Sequence, residues 1–215
     1  MVKWCYKHPY LFSICYFIFY LSFFELCEKF ITVPVWTVNS VIDDKIPFST
    51  IGIIPYLLWF PWIAATILIL LRKGPREEYL RSCFTMYIGM TGILIFYCMI
   101  PNGLNLRPET IPGKDILSNL VQWIYNHDTP VNVCPSLHVY VSASMDLAWT
   151  HSSLLEDKKW VRILLHILDI SICIGVMLVK QHSIIDVVTG LILAFIIDLV
   201  VSKKFKALSE ADFVD

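Results

Sequence analysis

Two histidines in this 215-residue chain stand at the heads of apolar runs, in company that suits phosphorus chemistry. Cys134-Pro135-Ser136-Leu137-His138 opens one run and Lys180-Gln181-His182-Ser183-Ile184-Ile185-Asp186 opens another, with Arg107-Pro108 in the loop before the first. His182 and Asp186 are four residues apart. On a helix that spacing brings them within about 6 Å, so the carboxylate can hold one imidazole nitrogen and leave the other as an oriented nucleophile. His138, with an ordinary pKa of about 6.5, suits a general acid that protonates a departing alkoxide and later takes a proton from water. Arg107 and Lys180 would neutralise the equatorial oxygens of a transferring phosphoryl group. Ser136 follows Pro135 at an expected helix N-terminus, where a hydroxyl and free backbone N–H groups favour an anion.

A single histidine near a helix end is more often a solvated or hydrogen-bonded structural residue. Two histidines, two fixed cations, a carboxylate and a hydroxyl on one side of the chain's apolar runs are harder to leave to coincidence. Zinc is the chemical rival, since His and Asp four apart can ligate a metal. No third close ligand and no H-E-x-x-H pattern accompanies them, so neither a metal nor any other cofactor is expected.

The elements that must position these residues are membrane spans. The chain is 57% hydrophobic and 16% charged with a mean hydropathy of +0.65, against roughly a quarter charged in an average soluble domain. Six apolar runs approach bilayer length: Pro9–Leu26, Ile51–Leu71, Cys83–Ile100, Cys134–Thr150, Trp160–Val179 and Ile184–Val201. The expected fold is therefore all-α, a six-span transmembrane bundle forming one integral-membrane domain over residues 1–215, with its motifs in 102–190. The first run follows Lys3 and Lys7 as a signal peptide would, but its length and the lack of a small-x-small cleavage site favour a retained span. The fourth is diluted by Ser136, His138, Ser142, Ser144 and Asp146, as befits a helix facing the bundle interior. Asp146 and Asp169 should lie at similar depth and find polar partners such as His166, Ser142 or Ser144. Before the fourth span, Ile116, Leu117, Leu120, Val121 and Ile124 share one helical face, which predicts a short interfacial helix.

Basic residues orient the bundle. With the N-terminus inside, Lys3, Lys7, Arg72, Lys73, Arg76, Arg81, Lys158, Lys159, Arg162, Lys203, Lys204 and Lys206 share the cytoplasmic side. Lys29, Lys45, Arg107, Lys114 and Lys180 lie opposite. The bias of twelve to five, in the same sense at every loop, predicts a multi-pass protein of the cell membrane with both termini cytoplasmic. It puts both histidines on the extracytoplasmic face. A net charge of -1 gives no field to attract nucleic acid, which is not an expected partner. Seven cysteines without a C-x-x-C pair predict neither disulfides nor a metal centre.

The order R-P, P-S-x-H, H-x-x-x-D over Asn102 to Gly190 resembles the type 2 phosphatidic acid phosphatase superfamily. That resemblance implies six spans, a metal-independent reaction, a phosphohistidine on His182, protonation by His138, and phosphate binding by Arg107, Ser136 and Lys180. Three positions depart from the family pattern: Ile100 where a lysine is usual, Leu137 for a common glycine, and Val176 for an arginine. Lys180 looks like the substitute seen in a divergent branch that also resembles the inositol phosphorylceramide synthases. The leading expectation is a hydrolase acting on a lipid phosphate: a phosphatidate, a phosphatidylglycerol phosphate, or a polyprenyl phosphate or diphosphate. Transfer of the phosphoryl group to a lipid or polyol hydroxyl is the first alternative, and a non-catalytic lipid-phosphate binder the second.

Overall fold

The computed structural model describes residues 2–207; the two ends of the expected 1–215 domain, Met1 and 208–215, lie outside the described residues. In chain order the elements are α1 (Val2–Lys7), α2 (Pro9–Phe30), β1 (Trp36–Val38), α3 (Ile53–Lys73), α4 (Arg76–Met99), β2 (Asn102–Leu104), α5 (Ile116–His127), α6 (Leu137–Thr150), α7 (Lys159–Leu178) and α8 (Ile184–Lys206). Five helices are long and apolar enough to cross a membrane: α2, α3 with its preceding turn, α4, α7 and α8.

The remaining expected span is shorter than its apolar run. Helix α6 begins at Leu137 rather than Cys134 and has 14 residues, a rise of about 21 Å. The residues before it are held out of the helix by Asn102. Its side-chain carbonyl accepts the N–H groups of Val133 (3.0 Å) and Cys134 (2.7 Å), and its amide donates to the Cys134 carbonyl (2.8 Å).

Helix α6 is also the centre of the bundle, packed on α3, α4, α7 and α8. Val139, Tyr140, Val141, Ser142, Ala143, Ser144 and Met145 are all buried, and the hydroxyls of Tyr140 and Ser144 find partners inside protein. Ser144 donates to the Tyr140 carbonyl (2.8 Å), and the Tyr140 hydroxyl crosses to the Thr85 carbonyl on α4 (2.5 Å). Asp146 meets His166 of α7 at 2.7 Å, one of the partners expected for it. The outer helices invert the usual pattern. Ile14 and Ile18 on α2, Leu58 and Leu68 on α3, Leu164 and Ile167 on α7, and Ile192 and Phe195 on α8 are exposed. Apolar side chains outside and hydroxyls inside suit a hydrocarbon solvent.

At one end of the bundle β1 and β2 pair in parallel, Trp36 opposite Asn102 and Val38 opposite Leu104, and Gly103 bridges Val131, a small β departure from an all-α fold. Helix α5 is capped by Asp115, whose carboxylate accepts the N–H groups of Leu117 (2.9 Å) and Ser118 (3.1 Å). It runs three residues past the expected stretch and buries Val121 and Ile124 against Ile53, Tyr56 and Val176. Ile116, read from the sequence as part of that face, is exposed instead.

Among the eight glycines the tightest site is Gly89 on α4, where an added Cβ would lie 1.9 Å from Cζ of Tyr140. The ring is fully buried and cannot retreat. Gly89→Ala should therefore destabilise by about 2 kcal/mol or more through overpacking. One turn along, a Cβ on Gly92 meets nothing within 4 Å, and Gly92→Ala should be neutral or gain about 0.5 kcal/mol. Thermal unfolding of the two variants in the same detergent measures the contrast, and equal shifts would refute it.

Candidate active site

The histidines meet because α6 and α8 begin side by side. The Ser136 N–H donates to the Asp186 carbonyl (3.1 Å), and Gly190 admits the close approach, since a Cβ there would stand 3.0 Å from the Ser136 carbonyl oxygen. His138 is the second residue of α6, and His182 precedes Ser183, the N-cap of α8. Nδ1 of His138 lies 3.3 Å from Nε2 of His182.

On its other nitrogen, His182 Nδ1 is 3.3 Å from Asp186 Oδ2. The expected contact is present, although it does not come from two residues on one helix face. Asp186 is the third residue of α8 and His182 lies outside the helix. They meet in a capping box: Asp186 Oδ2 accepts the Ser183 N–H (2.8 Å), while Ser183 Oγ accepts the Ile185 N–H (3.2 Å). One buried carboxylate thus closes the helix terminus and orients the imidazole. Placing the Nδ1 proton towards Asp186 leaves the lone pair of His182 on Nε2, where His138 can donate to it. His138 is itself fixed by α3. Its carbonyl accepts from Trp59 Nε1 (2.9 Å), and its ring stands 4.8 Å from Tyr56 and 4.7 Å from Trp59, centre to centre.

Of the other residues singled out, Arg107 comes within one side chain of the pair. Nη1 donates to the Asp128 carbonyl (2.8 Å), Nη2 to Gln181 Oε1, and the guanidinium covers the Tyr125 ring at 4.5 Å. Gln181 also donates to Asp128 Oδ2 (3.0 Å). Burial pushes the Asp128 carboxyl up from its ordinary value, with Arg107 and His182 pulling it back. Ser136 and Lys180 serve the backbone. Ser136 is the N-cap of α6, its Oγ accepting the Val139 N–H (3.3 Å). Lys180 donates to the Asp43 (2.7 Å) and Ile46 (2.6 Å) carbonyls, which ties the 39–49 loop to the turn between α7 and α8.

A cavity of about 300 Å³ opens beside the histidines. His138, His182, Gln181, Asp128 and Asn132 line its polar part. Leu21 and Phe24 of α2 and Trp59 and Phe60 of α3 form an apolar wall. Gln181, Asp128, Asn102 and Asn132 were not anticipated. Only Gln181, within the K-Q-H string, carried a local signal; the others are placed by loop hydrogen bonds that no spacing reveals. Among the described residues, no three His, Cys, Asp or Glu side chains gather as a metal would require. No family model, curated protein or solved structure matches this chain.

Asp43 is a further unanticipated residue. Its buried carboxylate accepts from Ser183 Oγ (2.6 Å), the Ile184 N–H (2.8 Å) and the Ser40 N–H (2.7 Å). Asp43→Ala should strand these donors at the α8 terminus and cost about 2–3 kcal/mol, the range for bonds to a charged group. Asp44→Ala, at an exposed neighbour, should cost under about 0.5 kcal/mol. Paired melting curves that coincide would rule out the anchoring role.

Proposed function

We propose that this chain is an integral-membrane lipid phosphate phosphatase with the chemistry of the type 2 phosphatidic acid phosphatase superfamily. The observation that carries the reading is the line of three groups, His138, His182 and Asp186, joined by two 3.3 Å contacts at the polar part of a cavity whose other wall is apolar. A phosphomonoester with a hydrocarbon tail fits that division. Its tail lies along α2 and α3 while its phosphate displaces His138 from Nε2 of His182.

In the first step His182 Nε2 attacks phosphorus as the bond to the leaving oxygen breaks, and His138 gives that oxygen its proton. Asp186 stabilises the imidazolium that develops. In the second step water attacks the phosphohistidine, His138 takes its proton, and inorganic phosphate leaves. Arg107 exchanges Gln181 for a phosphate oxygen and supplies the fixed positive charge. The reading places six spans in the bilayer, α6 being the short one. Because protein surrounds α6, its backbone and hydroxyls need no contact with lipid. The basic bias of twelve residues to five supports cytoplasmic termini and an extracytoplasmic site. Helix α5, with Trp123 exposed, suits the headgroup level.

Purified protein should release phosphate from lipid phosphates in the presence of excess EDTA, and His182→Ala should lower that rate by at least about 10³-fold through loss of the covalent route. Full activity in the variant would remove the nucleophile. Loss on chelation with recovery on adding zinc or magnesium would replace this mechanism with a metal-assisted one.

The two histidines separate by leaving group. His138→Ala should lose about 10²-fold more activity on an alkyl phosphate than on a nitrophenyl phosphate, whose oxygen departs without a proton. His182→Ala should be equally inactive on both. The comparison is read on alcohol released in the first turnover, and equal losses for His138→Ala would show that it does not protonate the leaving group.

A further inference from the structure

Asn132 has no part in the phosphoryl chemistry above, yet it lines the same cavity. The residue is 9% exposed, and neither its amide nitrogen nor its amide oxygen has a hydrogen-bond partner. Buried carboxamides are almost always satisfied, because an unmet donor or acceptor there loses its hydration without return. Its backbone makes the position a deliberate one. Asn132 has φ of +60°, a conformation disfavoured for most residues, and its N–H is bound to the Asn102 carbonyl at 2.5 Å. The same cavity presents acceptors: the Glu28 carboxylate, which accepts from Thr129 Oγ1 at 2.8 Å, and the Asp128 carboxylate.

A group with a donor and an acceptor side by side, in a cavity that also presents carboxylates, complements a hydroxyl, which both gives and takes a hydrogen bond. We propose that Asn132, with Glu28 and Asp128, forms a hydroxyl-binding subsite that selects a polyol-bearing molecule in the cavity that holds His138 and His182. The inference rests on the phosphatase reading. The hydroxyl has two possible sources of the same chemistry, the substrate's own headgroup or a second alcohol that accepts the phosphoryl group. In the latter case the P–N bond to His182 breaks, a P–O bond to the alcohol forms, and the alcohol's proton passes to His138.

Two substrates matched in chain and phosphate separate these cases: 1-oleoyl-glycerol-3-phosphate, with a free hydroxyl, and oleoyl-propanediol phosphate, without one. Both are assayed with wild type and with Asn132→Gly, which keeps the left-handed backbone and deletes the carboxamide. Wild type should favour the hydroxyl-bearing lipid by about tenfold or more in kcat/KM, because a desolvated site built for a hydroxyl discriminates against its absence, and the variant should bring that ratio to within about threefold of unity. If the ratio is already near unity, the propanediol lipid is run with added glycerol. Glycerol phosphate formed by wild type and reduced about tenfold in the variant then assigns the subsite to the acceptor. A ratio near unity without glycerol phosphate, or a preference unchanged in Asn132→Gly, overturns the subsite while phosphate release upholds the phosphatase reading. No release from either lipid overturns both.

Discussion

The crossing of the first turns of α6 and α8 is the constraint on which the site depends. Two backbone features hold it, the bond from Ser136 N–H to the Asp186 carbonyl and the absence of a side chain at Gly190. The crossing leaves 3.3 Å between imidazoles contributed by residues 44 positions apart. Helix ends are well suited to this work. Their first N–H groups have no intrahelical partners and must be capped by side chains, so a carboxylate there is already immobile before it meets a histidine. Asp186 unites both duties, and its imidazole partner inherits the rigidity of the helix terminus.

Around that crossing, polarity is graded from the inside outward. Helix α6, which carries Ser142, Ser144 and Asp146, is the one most enclosed, and more apolar helices surround it. Such an arrangement stabilises the interior by hydrogen bonds that have no aqueous competitor, as between Trp149 Nε1 and Thr66 Oγ1 at 2.9 Å. At one end the loops take over. Asn102 of β2 fixes the approach to α6 and Asp43 the approach to α8, so each histidine-bearing segment is anchored by one buried polar residue from earlier in the chain.

Much of this architecture was legible in the sequence because hydropathy is a one-dimensional signal. Five of the six apolar runs correspond to long helices, with boundaries displaced where charged residues continue the helix, as Arg76 to Arg81 do in α4. The sixth was readable as unusual, through its serines and Asp146, but its shortness was not, since that comes from Asn102 some thirty residues upstream. In the site, the histidines and Asp186 were legible from chemical type and spacing. The partners of Ser136 and Lys180 were not, because a hydroxyl or an ammonium near a phosphate motif reads the same whether it faces a ligand or a backbone carbonyl. The carbonyls that hold Lys180 belong to a loop more than 130 residues away. Side-chain chemistry is local, whereas the choice of partner is set by tertiary structure.

Helix α2 contributes Leu21 and Phe24 to the cavity but packs chiefly on α4, and few of its residues are buried. The histidines, by contrast, are fixed by α3, α6 and α8. The α2 side of the apolar wall thus supports neither imidazole, whereas the α3 side shares Trp59 with the hold on His138. Substitutions at Leu21 or Phe24 can reshape that side of the cavity without removing a contact that holds an imidazole. Under the proposed function, such a division would let a protein drift between lipids of different bulk while the histidine pair stays in place.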